Sequence, residues 1–245
     1  MKLAIQLHII GIKSAFTALS KGKFLLFFIP GALIGLIFWL ISIFTETIAS
    51  SFSFLESIPI IGSYLLSGVK GTFGIVNFIM DQLFVFFILT LLSPFNAFLS
   101  EKIVGSITGK TYPLDFFKLL GSLIRMVFIF FTAVLLELIV LGMYWIISRI
   151  LGFHLLDQVA FFCVAAFFCG FSFYDYSLER DQLSVLKSLK FTIFNFPIIL
   201  LTGSLFLAIY YIPVIGVIIS PVTTVLISTY IYLQINVPTL NSTTA

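Results

Sequence analysis

Residues 191–236 read FTIFNFPIILLTGSLFLAIYYIPVIGVIISPVTTVLISTYIYLQIN and carry no charged side chain. About 20 apolar residues are enough to cross a bilayer as a helix, so this stretch is too long for one crossing. Near its middle lies Ile212-Pro213-Val214-Ile215-Gly216. Proline has no amide proton to donate and its ring clashes with the preceding turn, so a helix bends or ends there. Gly216 admits the tight turn that must follow. The stretch therefore divides into two apolar helices, near 191–211 and 217–235. The segment between them, Tyr210 to Ile218, is uncharged and almost free of polar groups. A loop that emerges into water is normally polar. An apolar one fits a hairpin whose turn, at Pro213 and Gly216, lies inside the bilayer and has its backbone groups satisfied by protein.

The rest of the chain agrees with this solvent. Of 245 residues, 60% are hydrophobic and 9% are charged, with a mean hydropathy of +1.21. A soluble domain carries roughly 25% charged residues, because its surface faces water. Four further apolar runs, Phe24–Phe44, Gln82–Ser100, Met126–Ser148 and Val159–Tyr174, bring the total to six hydrophobic helices. The chain reads as an all-α, polytopic integral membrane protein. Phe24–Phe44 exceeds the roughly 7–15 residues of a signal-peptide core and reads as a retained transmembrane helix. Val159–Tyr174 is short for a full span, so it and Met126–Ser148 form a second candidate for a hairpin that enters the membrane only in part. The tip of that pair holds Arg149, His154 and Asp157.

Lysine and arginine alternate in density along the chain. Lys2, Lys13, Lys21 and Lys23 precede the first run. Lys70 stands alone in the next loop. Lys102, Lys110, Lys118 and Arg125 share the third, Arg149 stands alone in the fourth, and Arg180, Lys187 and Lys190 share the fifth. The positive-inside rule then places both termini, 101–125 and 175–190 in the cytoplasm.

No catalytic pattern is present. The sequence has no HExxH helix, no Walker loop and no GxSxG elbow, and its only histidines are His8 and His154. We expect no enzyme activity, no cofactor and no metal. Cys163 and Cys169 both lie in an apolar run and read as packing residues. A net charge of +3 gives no footprint for nucleic acid.

The polar residues within apolar surroundings are the functional candidates. Glu137 lies at the middle of its run, where a charge costs about 2.5–3.5 kcal/mol and faces the protein interior or a wet cavity. It reads either as a pathway carboxyl or as a group that joins helices. Pro94 interrupts the second span and frees the carbonyl of Thr90, with Ser93 and Asn96 near enough to satisfy it. Broken helices at this depth often line a cavity, and a simple kink is the other reading. Glu101 and Lys102 mark the exit from that span. Asp175 sits within Tyr174-Asp175-Tyr176, an interfacial anchor or an acceptor. Leu178, Val185, Leu186 and Leu189 share one helical side opposite Arg180 and Lys187, which predicts an amphipathic surface helix. Lys21-Gly22-Lys23 opens the first span, where lysines and free helix N-terminal donors make a candidate anion site, and ordinary charge anchoring is the alternative.

Four of these stretches resemble the CysZ sulfate-permease-like family, which includes the etoposide-induced membrane proteins. They are Lys21-Gly22-Lys23 with Pro30, Ser93-Pro94-Phe95-Asn96-Ala97-Phe98-Leu99-Ser100-Glu101-Lys102 followed by Thr108-Gly109, Tyr174-Asp175-Tyr176-Ser177-Leu178, and Ile212-Pro213-Val214-Ile215-Gly216 with Pro221. The resemblance implies a single membrane domain over 1–236 with a polar tail at 237–245. It implies two long transmembrane helices plus two helical hairpins that penetrate partly, in a homo-oligomer surrounded by membrane lipids. It further implies passage of a sulfate-like inorganic oxyanion across the bacterial inner membrane. Lysines stand beside Gly22 where sulfate-handling members carry arginines, and Lys binds an oxyanion as a point charge rather than a planar fork. The runner-up function is a non-transporting membrane scaffold.

Overall fold

The computed structural model describes residues 1–37, 40, 61–113, 115–152, 156–212 and 215–236, and of residues 61–83 only the backbone. Among the described residues there is no strand. The described residues form eight helices, in order α1 (Lys2–Ser20), α2 (Leu25–Ile37), α3 (Ile61–Thr108), α4 (Phe116–Leu151), α5 (Asp157–Arg180), α6 (Val185–Phe194), α7 (Phe196–Tyr210) and α8 (Ile215–Asn236). Five of them are long and apolar enough to cross a membrane, or six if the bent pair α6–α7 counts as one span. The protein is an all-α polytopic membrane protein.

Several elements differ from the sequence expectation. α1 was not expected as a helix, because its lysines and His8 interrupt the apolar pattern. α3 has 48 residues and runs without a break through Pro94. It takes in 61–81, which reads as loop from the sequence. At 1.5 Å per residue it is roughly 72 Å long, well over the ~30 Å hydrocarbon core. Pro94 therefore does not interrupt the span. The helix expected over 191–211 is instead cut at Asn195, where α6 and α7 meet at 97°. Pro197, in the first turn of α7, is the signal for that corner. The amphipathic helix expected over 178–189 is cut as well: Leu178 is buried in α5, Gln182 turns the chain with a φ of 57°, and Leu186 in α6 is exposed. The expected end of the first span at Phe44, the Pro213 turn, His154 and the tail at 237–245 lie outside the described residues.

α5 is the central helix. Every residue from Phe168 to Leu178 is buried. α7 crosses it at backbone contact, because the two helices meet through glycines. A Cβ at Gly203 would coincide with the Ala166 carbonyl, and one at Gly170 would run into the Ile199 carbonyl. Phe173 and Phe206 pack beside this crossing, ring centroids 4.8 Å apart. α1 lies along α8, where a Cβ on Gly11 would come within 3.0 Å of Ile231 Cγ1. His8 then reaches inward. Its Nδ1 donates to the Ala4 carbonyl at 2.7 Å, and its Nε2 meets the Thr202 hydroxyl at 2.9 Å. α4 by contrast exposes Phe128, Phe131, Leu135 and Ile139, which suits a helix whose solvent is lipid. Cys169 is buried within α5 and Cys163 is half-buried.

The crossing generates a paired prediction. Gly203→Ala should destabilise the protein by about 3 kcal/mol or more, since neither backbone can yield cheaply. Gly121→Ala, exposed on α4 with open space around it, should be neutral or stabilising by up to ~1 kcal/mol through helix propensity. Thermal melting of the detergent-purified variants checks both.

Candidate functional site

A belt of charged and hydroxyl side chains crosses one end of the bundle, where α3 ends, α4 begins and α5 turns into α6. Its centre is Arg125 on α4. Nε donates to Asp175 Oδ2 at 2.8 Å and Nη2 donates to Oδ1 at 2.7 Å. This two-point pairing is the strong form of the arginine–carboxylate contact. Nη1 also donates to the Leu183 carbonyl at 2.7 Å, and Nη2 to the Ser188 hydroxyl at 3.0 Å. One guanidinium thereby ties α4 to α5, to the turn after α5 and to α6. The Asp175 side chain is 3% exposed and that of Arg125 18%. From the sequence Arg125 counts only as a loop cation. The missed signal is its position at the edge of an apolar run, where a charge must find a partner.

The belt widens from there. Ser122 donates to Glu179 at 2.8 Å. Glu101, buried on α3, pairs with Lys118 on α4. Arg180 bridges Asp181 at 3.2 Å and Ser100 at 3.3 Å. Ser100 also meets Ser177 at 3.3 Å and Thr229 at 3.1 Å, and the Tyr232 hydroxyl donates to Asp181 at 2.5 Å. Asn96 donates to the Tyr176 hydroxyl at 3.4 Å. Three expected residues, Asn96, Glu101 and Asp175, thus each have a polar partner in this part of the bundle, through separate contacts. Asp175 is buried and joins α5 to α4 through Arg125.

The other expected residues stand apart. Ser93, expected to help at Pro94, is buried and its hydroxyl has no hydrogen-bond partner among the described residues, while Thr90 donates to the Phe86 carbonyl at 2.8 Å. Glu137 is three helical turns along α4 from Arg125. It is 4% exposed, and its Oε1 has no hydrogen-bond partner among the described residues. Gly216 donates its amide to the Ile212 carbonyl at 2.8 Å. A Cβ there would strike the Tyr210 carbonyl, so this position accepts only glycine.

Lys21-Gly22-Lys23 occupies a different helix end from the one expected. It closes the C-terminus of α1. Gly22, at a φ of 73°, donates to Leu19 at 2.9 Å, and Lys23 donates to Ala18 at 3.0 Å. This is the Schellman arrangement, which uses both amides. The backbone donors are therefore spent, and binding capacity here belongs to side chains. Lys21 and Lys23 border a cavity of about 470 Å³ with Lys13, Ser14, Thr17 and Tyr230. No carboxylate lines it among the described residues. Among those residues no cluster of His, Cys, Asp and Glu suits a metal ion. No family model, curated protein or solved structure matches the chain.

The belt predicts unequal costs for its two acidic–basic pairs. Asp175→Ala leaves the Arg125 guanidinium buried and half-partnered and should cost about 3–5 kcal/mol. Lys118→Gln leaves the Glu101 carboxylate, whose side chain is 7% exposed, without its cation but with an amide donor in reach, and should cost about 1–3 kcal/mol. Thermal melting in detergent separates the two.

Proposed function

We propose that this chain is a membrane permease or channel for sulfate-like oxyanions, working as a homo-oligomer in the bacterial inner membrane with the basic end of its bundle in the cytoplasm. The resemblance of its four motifs to the CysZ-like family suggests that reading. The observation that carries it is the cavity bordered by Lys13, Lys21 and Lys23, which three hydroxyl-bearing residues, Ser14, Thr17 and Tyr230, also line. Three ammonium groups with no carboxylate lining the cavity attract a divalent oxyanion from water, and the Ser14 and Tyr230 hydroxyls are donors for its remaining oxygens, the Thr17 hydroxyl being given to the Lys13 carbonyl at 2.8 Å. The contrast with the belt is informative. Arg125 and Arg180 are committed to internal acceptors, whereas these lysines form no ion pair among the described residues and are free to meet a solute. Their flexible stems hold an anion as point charges and release it readily, which suits passage better than storage.

A scaffold role is the second reading. It draws on the belt itself, whose buried charges are paired with one another and tie helices together.

The test is uptake of labelled sulfate into proteoliposomes that contain the purified chain. Uptake above that of empty liposomes is expected, and Lys13→Gln/Lys21→Gln/Lys23→Gln should lower it about tenfold with the oligomer intact. Absence of uptake for sulfate and related oxyanions overturns the transport reading. Recovery of one stable protein partner alongside silent flux favours the scaffold.

A further inference from the structure

A second basic cluster, separate from the lysine cavity, closes one end of an apolar groove. The groove has a volume of about 680 Å³ and lies between the start of α2 and the middle of α3, bordered by Leu25, Ile29, Pro30, Pro94, Phe95 and Phe98. Leu25, Ile29 and Phe95 expose about half of their surface. A polar cavity of about 640 Å³ adjoins it, bordered by Lys102, Ser106, Lys110, Thr111 and Tyr112. Phe24 and Lys102 line both, so the two are parts of one trough. The volume of each part falls in the range of ligand sites, roughly 300–1,000 Å³.

The chemistry changes in one direction along the trough. Lys102 follows Pro94 by eight residues on α3, or about 12 Å of helix. Over that distance the lining passes from aliphatic and aromatic to cationic. Lys102 lies at the junction with its ammonium 4.9 Å from the Phe98 ring centre, so its stem follows apolar surface while its charge reaches the rim. Lys110 is brought alongside by the turn after α3. Gly109, at a φ of 72°, ends the helix, and the chain folds back until the Lys110 carbonyl would lie 2.6 Å from a Cβ at Gly105. Lys102 and Lys110 are exposed and form no ion pair among the described residues. The one carboxylate among the residues lining this cavity, Glu101, is paired with Lys118. The trough therefore presents net positive charge at its polar end.

We propose that this trough is a binding site for one anionic phospholipid, with an acyl chain in the apolar groove and the phosphate between Lys102 and Lys110. Basic recesses between membrane helices hold anionic headgroups in this way, and an apolar groove open to the bilayer takes hydrocarbon at no cost in exposed surface. This inference does not depend on oxyanion transport, since it uses neither Lys21 nor Lys23.

Native mass spectrometry of the detergent-purified full chain tests it, with dioleoyl phosphatidylglycerol and dioleoyl phosphatidylcholine as probes. A single phosphatidylglycerol adduct should exceed the phosphatidylcholine adduct about fivefold. Lys102→Gln/Lys110→Gln should abolish that preference, and Lys102→Arg/Lys110→Arg should keep it. Ile29→Trp, which fills the groove, should remove the adduct with both lysines in place. Lys13→Gln/Lys21→Gln/Lys23→Gln should leave it unchanged, and millimolar inorganic phosphate should not displace it. Equal retention of the two lipids overturns the proposal. So does displacement by phosphate, which would make the site one for a free anion. Loss of self-association without loss of lipid in Ile29→Trp would assign the groove to a second copy of this chain, and also overturns it.

Discussion

A charge buried between packed helices has no solvent, and the Arg125–Asp175 pair answers that constraint where α4, α5 and α6 meet. Water would hydrate each group separately at little cost. Within a lipid-solvated bundle each must find the other, and the remaining guanidinium protons must find acceptors too. The Leu183 carbonyl and Ser188 supply them. That requirement explains the local backbone. The chain leaves α5 through Gln182 in a left-handed conformation, and the turn this makes aims the Leu183 carbonyl back at Arg125. α6 then starts in the register that presents Ser188. Because α5 is also held by α7 at glycine contact, the clamp fixes the central helix at one end while the close crossing fixes it further along.

Much of the architecture is legible from the sequence because lipid imposes a simple rule on composition. The uncharged stretch at 191–236 forces two helices and a turn, and α7 and α8 take those places. What the sequence conceals is local. Pro94 looks like a break, yet α3 continues through it, since a helix held by packing on several sides tolerates one lost hydrogen bond. Pro197 looks unremarkable in the same apolar run, yet it starts α7 after a sharp corner. The difference lies in the residues before each proline and in what packs around them, which no linear pattern records. α1 is concealed for another reason: His8 reads as polar, and only the fold gives it Ala4 and Thr202 as partners.

The candidate site shows the same division. Asn96, Glu101 and Asp175 are conspicuous as polar residues in apolar runs, and the fold gathers them. Arg125, the partner of Asp175, is hidden because it sits where a run begins and so passes for a loop cation. Lys21-Gly22-Lys23 is conspicuous as well, but its glycine serves α1 as a C-cap and its lysines alone are left for binding. With Arg125 and Arg180 committed to the belt, two groups of exposed lysines border cavities of different character. Lys13, Lys21 and Lys23 surround a polar recess suited to a small anion. Lys102 and Lys110 stand at the mouth of a hydrocarbon groove suited to a lipid.

The account rests on Arg125 and Asp175 acting as one unit, and a double-mutant cycle measures that directly. Stability is measured in the same detergent for the unaltered chain, Arg125→Met, Asp175→Leu and the double variant. The account predicts a coupling of about 2–3 kcal/mol, with the double variant far more stable than the sum of the single losses implies. Single losses that add to within about 0.5 kcal/mol would contradict it, and the belt would then be a set of independent contacts rather than a joint.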